Sequence, residues 1–460
     1  MTFRLFICLL GCTLLTSCAS WYQRTLAFQT AVQKGEFEQA EKILQKDKKQ
    51  AKNKNKILYY LNQGYVEFML GNAEKSNQAL ETAEKLTEDQ DKNILTEAAV
   101  LISNPEIRPY KPEDFEVIMI NFYKALNYLQ MNNMEDALVE VRKINIHLHQ
   151  LNDKYPDHKN RYQQDAFAQL LMGLIYDAAG DMNNAFIAYR NSYDIYQGDY
   201  LKNFNIAAPE QLKKDLLRTA SLCGFRSELR EYEKTFGFQY VPESPSSNGQ
   251  LVLFWLNGFG PIKTEWGLTF TKIQKGDGAI VFHNKELGLA FPFFWNAESS
   301  ESDRNSLSNV NVVRVVFPKY TERPLTYNKG ALKYDHKTYS LQIAEDINQI
   351  ASKTLHDRMV RELSNSLLRV AVKQGLRYAA SKENEWLGLA VGLTNAFTEK
   401  ADTRNWQTLP ASISYSRVPL ASPENQIELN FTGSKGAKDT QQLTIPANNK
   451  STRFFVYSTL

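Results

Sequence analysis

The residues of this chain that could do chemistry are sparse, and few of them are spaced to act together. His147 and His149 stand two apart in a helical stretch. That sets them about 200° apart round the helix axis, so they cannot share a metal ion as an i, i+4 pair could. Asp335-His336 and His356-Asp357 are sequence neighbours whose side chains diverge. No Ser or Cys pairs with them by spacing, and Cys223 reads as a small core residue. The chain contains no His-Glu-x-x-His, no Gly-x-Ser-x-Gly and no phosphate-cradling glycine loop ending in Lys-Ser/Thr. The expectation is a non-catalytic protein with no metal and no cofactor.

Binding has better candidates. Glu140, Arg142 and Lys143 fall on one helix and could clamp a partner's carboxylate or peptide. The plainer reading is a solvated face with local ion pairs of about 0.3 kcal/mol. Lys263 ends the string Asn257-Gly-Phe-Gly-Pro-Ile-Lys263, where Gly258, Gly260 and Pro261 make a rigid turn that could present its charge. Phe291, Phe293, Phe294 and Trp295 could form a platform for sugar rings, or belong to the core of a sheet. Arg404 and Trp406 read as a structural lock where helices rejoin strands, with an exposed binding pair as the alternative.

Cys18 carries a different chemistry. Arg4 gives a positive start, Leu5 to Leu15 a short apolar run, and Leu15-Thr16-Ser17-Cys18 the lipobox of a bacterial lipoprotein. The run is too short to span a bilayer, so residues 1–17 read as a cleaved signal. Cys18 then carries diacylglycerol and a further acyl chain on its amine, and two or more chains anchor stably. An ordinary signal peptide with an incidental cysteine is the alternative. Ala19 rather than Asp after the cysteine implies, in a Gram-negative cell, an outer-membrane lipoprotein facing the periplasm. Cys8 and Cys12 leave with the signal, so Cys223 is the one remaining thiol and no internal disulfide can form. No later apolar run approaches the ~20 residues of a membrane span. A net charge of +3 with 23% charged residues offers no strong field for nucleic acid.

The elements that must position these residues fall into two groups. Residues 18–240 read as helical hairpins with three-to-four apolar spacing. Gly173, Tyr176, Gly180, Ala185 and Tyr189 follow the tetratricopeptide pattern, which recurs as Gly64, Gly71, Leu80 and Ala83, as Ala125, Tyr128, Asn132, Ala137 and Val141, and as Gly35, Ala40 and Leu44. A generic hairpin bundle is the alternative. Pro209 to Gly237, broken at Gly224, reads as a closing hairpin. Residues 241–249 form a Pro/Ser linker. Strand signals follow at Leu251–Leu256, Gly278–His283, Asn311–Phe317, Ile413–Val418, Gln426–Phe431 and Phe454–Tyr457. A helical insertion is expected over about 341–400, including the apolar run Trp386 to Phe397. The fold class is therefore a tetratricopeptide-like α-solenoid followed, over 250–460, by an α+β domain with a mixed β-sheet.

Three strings, Asn257 to Lys263, Ala125 to Leu129 with Ala137 to Lys143, and Ala401 to Pro410, resemble a family of bacterial outer-membrane lipoproteins that contain tetratricopeptide repeats. Arg404, Trp406 and Pro410 carry the most specific part of that resemblance. It implies an envelope role and supplies no catalytic residue; genes of this family often neighbour lipoproteins similar to activators of penicillin-binding proteins. The expected function is a lipid-anchored, non-catalytic scaffold that binds other envelope proteins through its helical surface. The alternative is a glycan- or peptidoglycan-binding lipoprotein acting through the aromatic-rich C-terminal domain.

Overall fold

The computed structural model describes residues 20–92, 108–154, 162–242, 248–275, 279–286, 289–293, 312–358, 401–434, 436–447 and 451–460. Cys18, Trp295 and the insertion beyond residue 358 lie outside the described residues.

Helices fill the first half: α1 (Trp21–Arg24), α2 (Leu26–Gln33), α3 (Phe37–Lys46), α4 (Lys56–Met69), α5 (Ala73–Lys92), α6 (Asp114–Gln130), α7 (Met134–Lys154), α8 (Ala166–Ala178), α9 (Met182–Ile195), α10 (Glu210–Leu222) and α11 (Arg226–Phe236). A π-helical stretch, Tyr196–Phe204, continues α9. From α2 to α11 they pair as five consecutive hairpins. Gly35, Gly71, Asn132, Gly180 and Gly224 occupy the five hairpin turns in the left-handed conformation, with φ of 71°, 77°, 58°, 81° and 72°. That conformation ends a helix at little cost only for Gly and, to a lesser degree, Asn. Within hairpins the contact is close: a Cβ on Gly64 would stand 2.6 Å from Leu80, and one on Gly173 would stand 2.4 Å from the Tyr189 ring.

The first helix of each hairpin faces inward. α6 is buried from Phe115 to Leu129 with few breaks, whereas the outermost helix, α11, buries nothing. α6, α8 and α10 face the chain's own sheet, and α4 faces the segment 401–410, where Thr408 Oγ1 stands 3.5 Å from Asn62 Oδ1. Phe167 of α8 meets Phe254 edge-on at 6.1 Å, and Tyr123 of α6 lies 5.7 Å from Trp406. One apolar core runs continuously from Trp21 and Leu61 through Phe122 and Leu171 to Val252, Phe254, Ile413 and Tyr415.

The larger sheet has the order β10-β9-β6-β7-β8-β1-β11 and the smaller β4-β3-β2-β5. Their strands are β1 (Gln250–Asn257), β2 (Ile262–Lys275), β3 (Ala279–Asn284), β4 (Leu289–Phe293), β5 (Val312–Thr321), β6 (Lys329–Tyr334), β7 (Lys337–Asp346), β8 (Ser412–Pro419), β9 (Glu424–Thr432), β10 (Lys438–Pro446) and β11 (Thr452–Thr459). The pair β1/β11 is parallel, with Phe254 opposite Val456, and the other neighbours run antiparallel. The larger sheet curls. Phe431 of β9 lies 4.9 Å from Trp255 of β1 and stacks on Tyr457 of β11 at 5.4 Å, although three strands separate β9 from β1. The hollow of the curl holds a second core of Leu251, Leu253, Trp255, Leu332, Leu429 and Phe431. With helices on one side and this core on the other, β1 is buried almost throughout, as its unbroken apolar run implies.

One boundary differs from expectation. The helical insertion was placed from about Leu341, but β7 runs through that position and the helix occupies 347–358, with Asp346 capping it through Gln349 N at 3.0 Å. Asp335 and His336 both take left-handed φ, 46° and 63°, and form a two-residue hairpin turn between Tyr334 and Lys337. They are a turn, which explains their adjacency without any catalytic role. Ile343 fits the spacing of the following helix, yet it lies on β7 and is 42% exposed.

The close approach inside hairpins is testable. Gly173→Ala should lower stability by about 1–3 kcal/mol through overpacking against Tyr189. Gly180→Ala should cost about 1–2 kcal/mol through left-handed strain. Gly198→Ala meets nothing within 4 Å and should leave thermal melting close to wild type.

Candidate functional site: the joint between helices and sheet

Lys263, Arg404 and Trp406, three of the residues singled out by sequence, converge with others on the seam between the two halves. Its first cluster is built on the N-terminus of α6. Glu113 caps the helix, and Glu116 reaches back to accept from Glu113 N at 2.9 Å. Lys263 of β2 and Arg358 of the 347–358 helix both donate to the Glu113 carboxylate. Burial alone would push Glu113 up, but Arg358 and Lys263 outweigh it and hold the carboxyl at about 2. Glu116 accepts from Trp406 N at 2.6 Å and from the Tyr110 hydroxyl. Burial dominates there, helped by the neighbouring Glu113 charge, and pushes its carboxyl up to about 7 against the pull of Lys263.

Arg404 sits beside this pair, 1% exposed. It donates to Asp402 at 2.8 and 2.5 Å, to Asn55 Oδ1 at 3.0 Å and to the Arg108 carbonyl at 3.0 Å, with its guanidinium 5.6 Å over Tyr110. Lys263, Arg404 and Trp406 are thus brought together, and all three are buried. Arg323, which the sequence reading passed over, lies on the same seam. It donates to Gly260 O at 2.7 Å and to Gln407 O, and covers Phe259 at 4.7 Å. Burial pushes its guanidinium down to about 10.

A second cluster clamps the far end. Arg417 of β8 pairs with Asp177 of α8 at 2.8 Å and with Asp215 of α10 at 3.0 Å, and donates to the Tyr189 hydroxyl at 2.8 Å. Arg218 completes it on Asp177. Asp177 is held down despite its burial, because Arg417 and Arg218 both face it. Asp215 is pushed up, burial there exceeding the pull of the same two arginines.

The remaining candidates lie elsewhere. Glu140 is 5% exposed and committed to an internal network, with Lys124 Nζ at 3.1 Å, Asn121 Nδ2 at 3.0 Å and Lys143 Nζ at 3.2 Å. Lys124 also holds Glu84 at 2.7 Å, and His147 Nε2 stands 3.8 Å from that carboxylate. Arg142 points outward and lies over Tyr176, 5.8 Å from the ring centroid, with a 2.5 Å bond to its hydroxyl. Glu140, Arg142 and Lys143 lie on α7, with Glu140 turned into this network and Arg142 exposed. Cys223 is half-buried at the C-cap of α10.

Glu113, Glu116, Lys124 and Arg417 went unnoticed in the sequence. The signal was available for two of them: Glu116 and Lys124 interrupt Phe115–Leu129, which is otherwise apolar round much of its circumference, and a lone charge in such a helix must be buried against a partner.

The class defined by this arrangement is an array of helical hairpins closed onto a curled sheet by buried ion clusters. No protein-family model matches the chain, and no curated protein matches it. Among solved structures it is similar, at 13% identity and a TM-score of 0.29, to one described as "Crystal Structure of Rap Protein Complexed with Competence and Sporulation Factor". The match covers 48% of this chain, which spans about half of that one, 54% of its length.

The opposed carboxyls of α6 make a pH test. Folded Glu116 keeps a proton that unfolded Glu116 loses near 4.5, so its contribution is full below that value and falls away as pH rises through about 7. Glu113 has the opposite sign, its contribution present above 4.5 and lost as pH falls toward about 2. Glu116→Gln should therefore gain stability relative to wild type between pH 4.5 and 7, by about 3 kcal/mol at most, in urea unfolding read at both pH values. Arg404→Ala, which strands Asp402 and Asn55, should cost about 3–5 kcal/mol.

Proposed function

We propose that this chain is a lipid-anchored, non-catalytic adaptor of the cell envelope, with tetratricopeptide-type hairpins forming a solenoid that is folded back on its own C-terminal domain. The supporting observation is the position of Trp21. This residue, three after Cys18, is 5% exposed, and its backbone N–H donates to Thr403 Oγ1 at 3.0 Å. Ser20 caps α1 in a reciprocal pair with Gln23. Three residues reach at most about 10 Å, so acyl chains on Cys18 would hold the body against the bilayer surface without a flexible tether. Hydrolase chemistry draws no support from the seam, whose charged groups are buried and paired with one another.

The inner side of the helices is covered by the sheet. A protein partner is therefore expected on the outer helices, where α7 exposes Val139 and Ile146 one heptad apart beside Arg142. Photo-cross-linking residues placed at 139 and 146 in living cells should give a discrete protein adduct in the membrane fraction. Cys18→Ser should release the protein from membranes and abolish that adduct. Wild-type protein recovered free of membranes, or no adduct from either position, would overturn the proposal.

A further inference from the structure

A polar cleft of about 560 Å³ opens where α7, α8 and α9 meet the π-helical stretch. Its volume lies in the range of ligand-binding pockets, about 300–1,000 Å³, and its lining is selective. Asn145, Gln169 and Asn191 present amides; Asp165, Asp194 and Asp199 present carboxyls; no Lys, Arg, Phe, Tyr or Trp is among the described lining residues. Asn145 and Gln169 already bridge α7 and α8 through a 3.2 Å amide bond, which sets their spacing.

Asp165, Asp194 and Asp199 form no ion pair among the described residues. Asp165 is 3% exposed, fixed by the Tyr162 hydroxyl at 2.6 Å and by Ala168 N at 2.7 Å, and is not ion-paired among the described residues. Beyond it, Glu345 is wholly buried on the bulge of β7, its Oε1 3.5 Å from the Tyr200 hydroxyl and its Oε2 without a partner among the described residues. Arg190, one turn before Asp194, lies over the Phe186 ring, and burial pushes the Asp194 carboxyl up against the pull of that arginine. His149 is the one imidazole among the described lining residues.

We propose that this cleft binds a basic segment of a protein partner, seating a lysine or arginine side chain against Asp194 and Asp199 while the amides of Asn145, Gln169 and Asn191 pair with its backbone. The inference deepens the adaptor reading by giving the partner's chemistry, and rests on that reading for its meaning in the cell. Anionic ligands are disfavoured because no Lys or Arg lines the cleft among the described residues, whereas three carboxyls do. A glycan is disfavoured because no Phe, Tyr or Trp ring lines the cleft among the described residues for a sugar face to stack on.

The probe is a fluorescein-labelled heptapeptide of alternating glycine and lysine, titrated by anisotropy against the purified full chain at low and moderate salt. Binding should weaken about tenfold or more in Asp194→Asn/Asp199→Asn, and should be unchanged in Glu38→Gln/Glu135→Gln, which makes the same change in charge elsewhere. An acetyl-lysine version should not bind. Equal binding by both double variants, no binding at ~1 mM peptide, or binding of a neutral chitooligosaccharide in place of the peptide would overturn the assignment. Matching thermal melts would show that both double variants fold. The in-cell adduct separates the two proposals. An adduct that persists in Asp194→Asn/Asp199→Asn removes the cleft and leaves the adaptor, whereas peptide binding with no wild-type adduct does the reverse.

Discussion

Residues 401–410 have neither helix nor strand, yet nearly all of them are buried. A buried irregular segment must find a partner for each backbone polar group without help from a regular ladder. That requirement organises the seam. Trp406 N is met by Glu116 of α6, Ala401 N by Glu265 of β2 and Arg404 N by its neighbour Asp402. The carbonyls of Gln407 and Leu409 are met by Arg323 and Gly260 N. Asn405 accepts from Lys263 N and donates to Pro261 O, fastening the segment to the turn before β2. Donors and acceptors from α1, α6, β2 and the Gly258–Pro261 turn therefore have to arrive together, and the position of the sheet on the helices follows.

The apolar contact between the halves is large but has no inherent register, because burial of apolar area is non-directional. The charged clusters supply the direction. Glu113 stands at the α6 N-terminus, where the helix dipole already favours an anion, and takes one cation from β2 and another from the helix after β7. Arg417 does the converse from β8, reaching two carboxylates on α8 and α10. Buried ion pairs contribute little net stability compared with apolar replacements, but removing one partner strands a charge. Two such clamps at separate points along the helix array oppose both sliding and rotation of the sheet.

How much of this was legible in the sequence depends on the range of the interaction. Gly35, Gly71, Asn132, Gly180 and Gly224 announce their turns because the left-handed conformation is a local demand. The apolar run of β1 and the alternation of Ile413 and Tyr415 with serines in β8 announce strands for the same reason. By contrast β10 reads Lys-Asp-Thr-Gln-Gln-Leu-Thr-Ile-Pro, and only its place at a sheet edge makes it a strand. The start of β7 was hidden because Ile343 fits the helical spacing of Ile347 and Ile350. Lys263, Arg404 and Trp406 could be picked out singly, but the carboxylate that receives Lys263 lies 150 positions away and the one that meets Trp406 lies 290 away. No local pattern encodes such a pairing.

The closing of the helices onto the sheet also decides where recognition can occur. An open array of hairpins offers its concave side as an extended binding surface; here Phe167, Tyr123 and Tyr196 are turned into the chain's own core. Charged residues that would serve a ligand in an open array instead hold the fold. What the hairpins leave to the solvent is the outer layer of α3, α5, α7, α9 and α11 and the gaps between them. The cleft beside Asp194 is such a gap, lined in part by the π-helical stretch, which keeps Tyr196, Tyr200 and Phe204 buried. A π-helical stretch gives up the tighter hydrogen-bond geometry of an α-helix and often marks a functional position. In this chain it directs three aromatic side chains to the interior and Gly198 and Asp199 to the cleft, so one local irregularity serves both the seam and the surface.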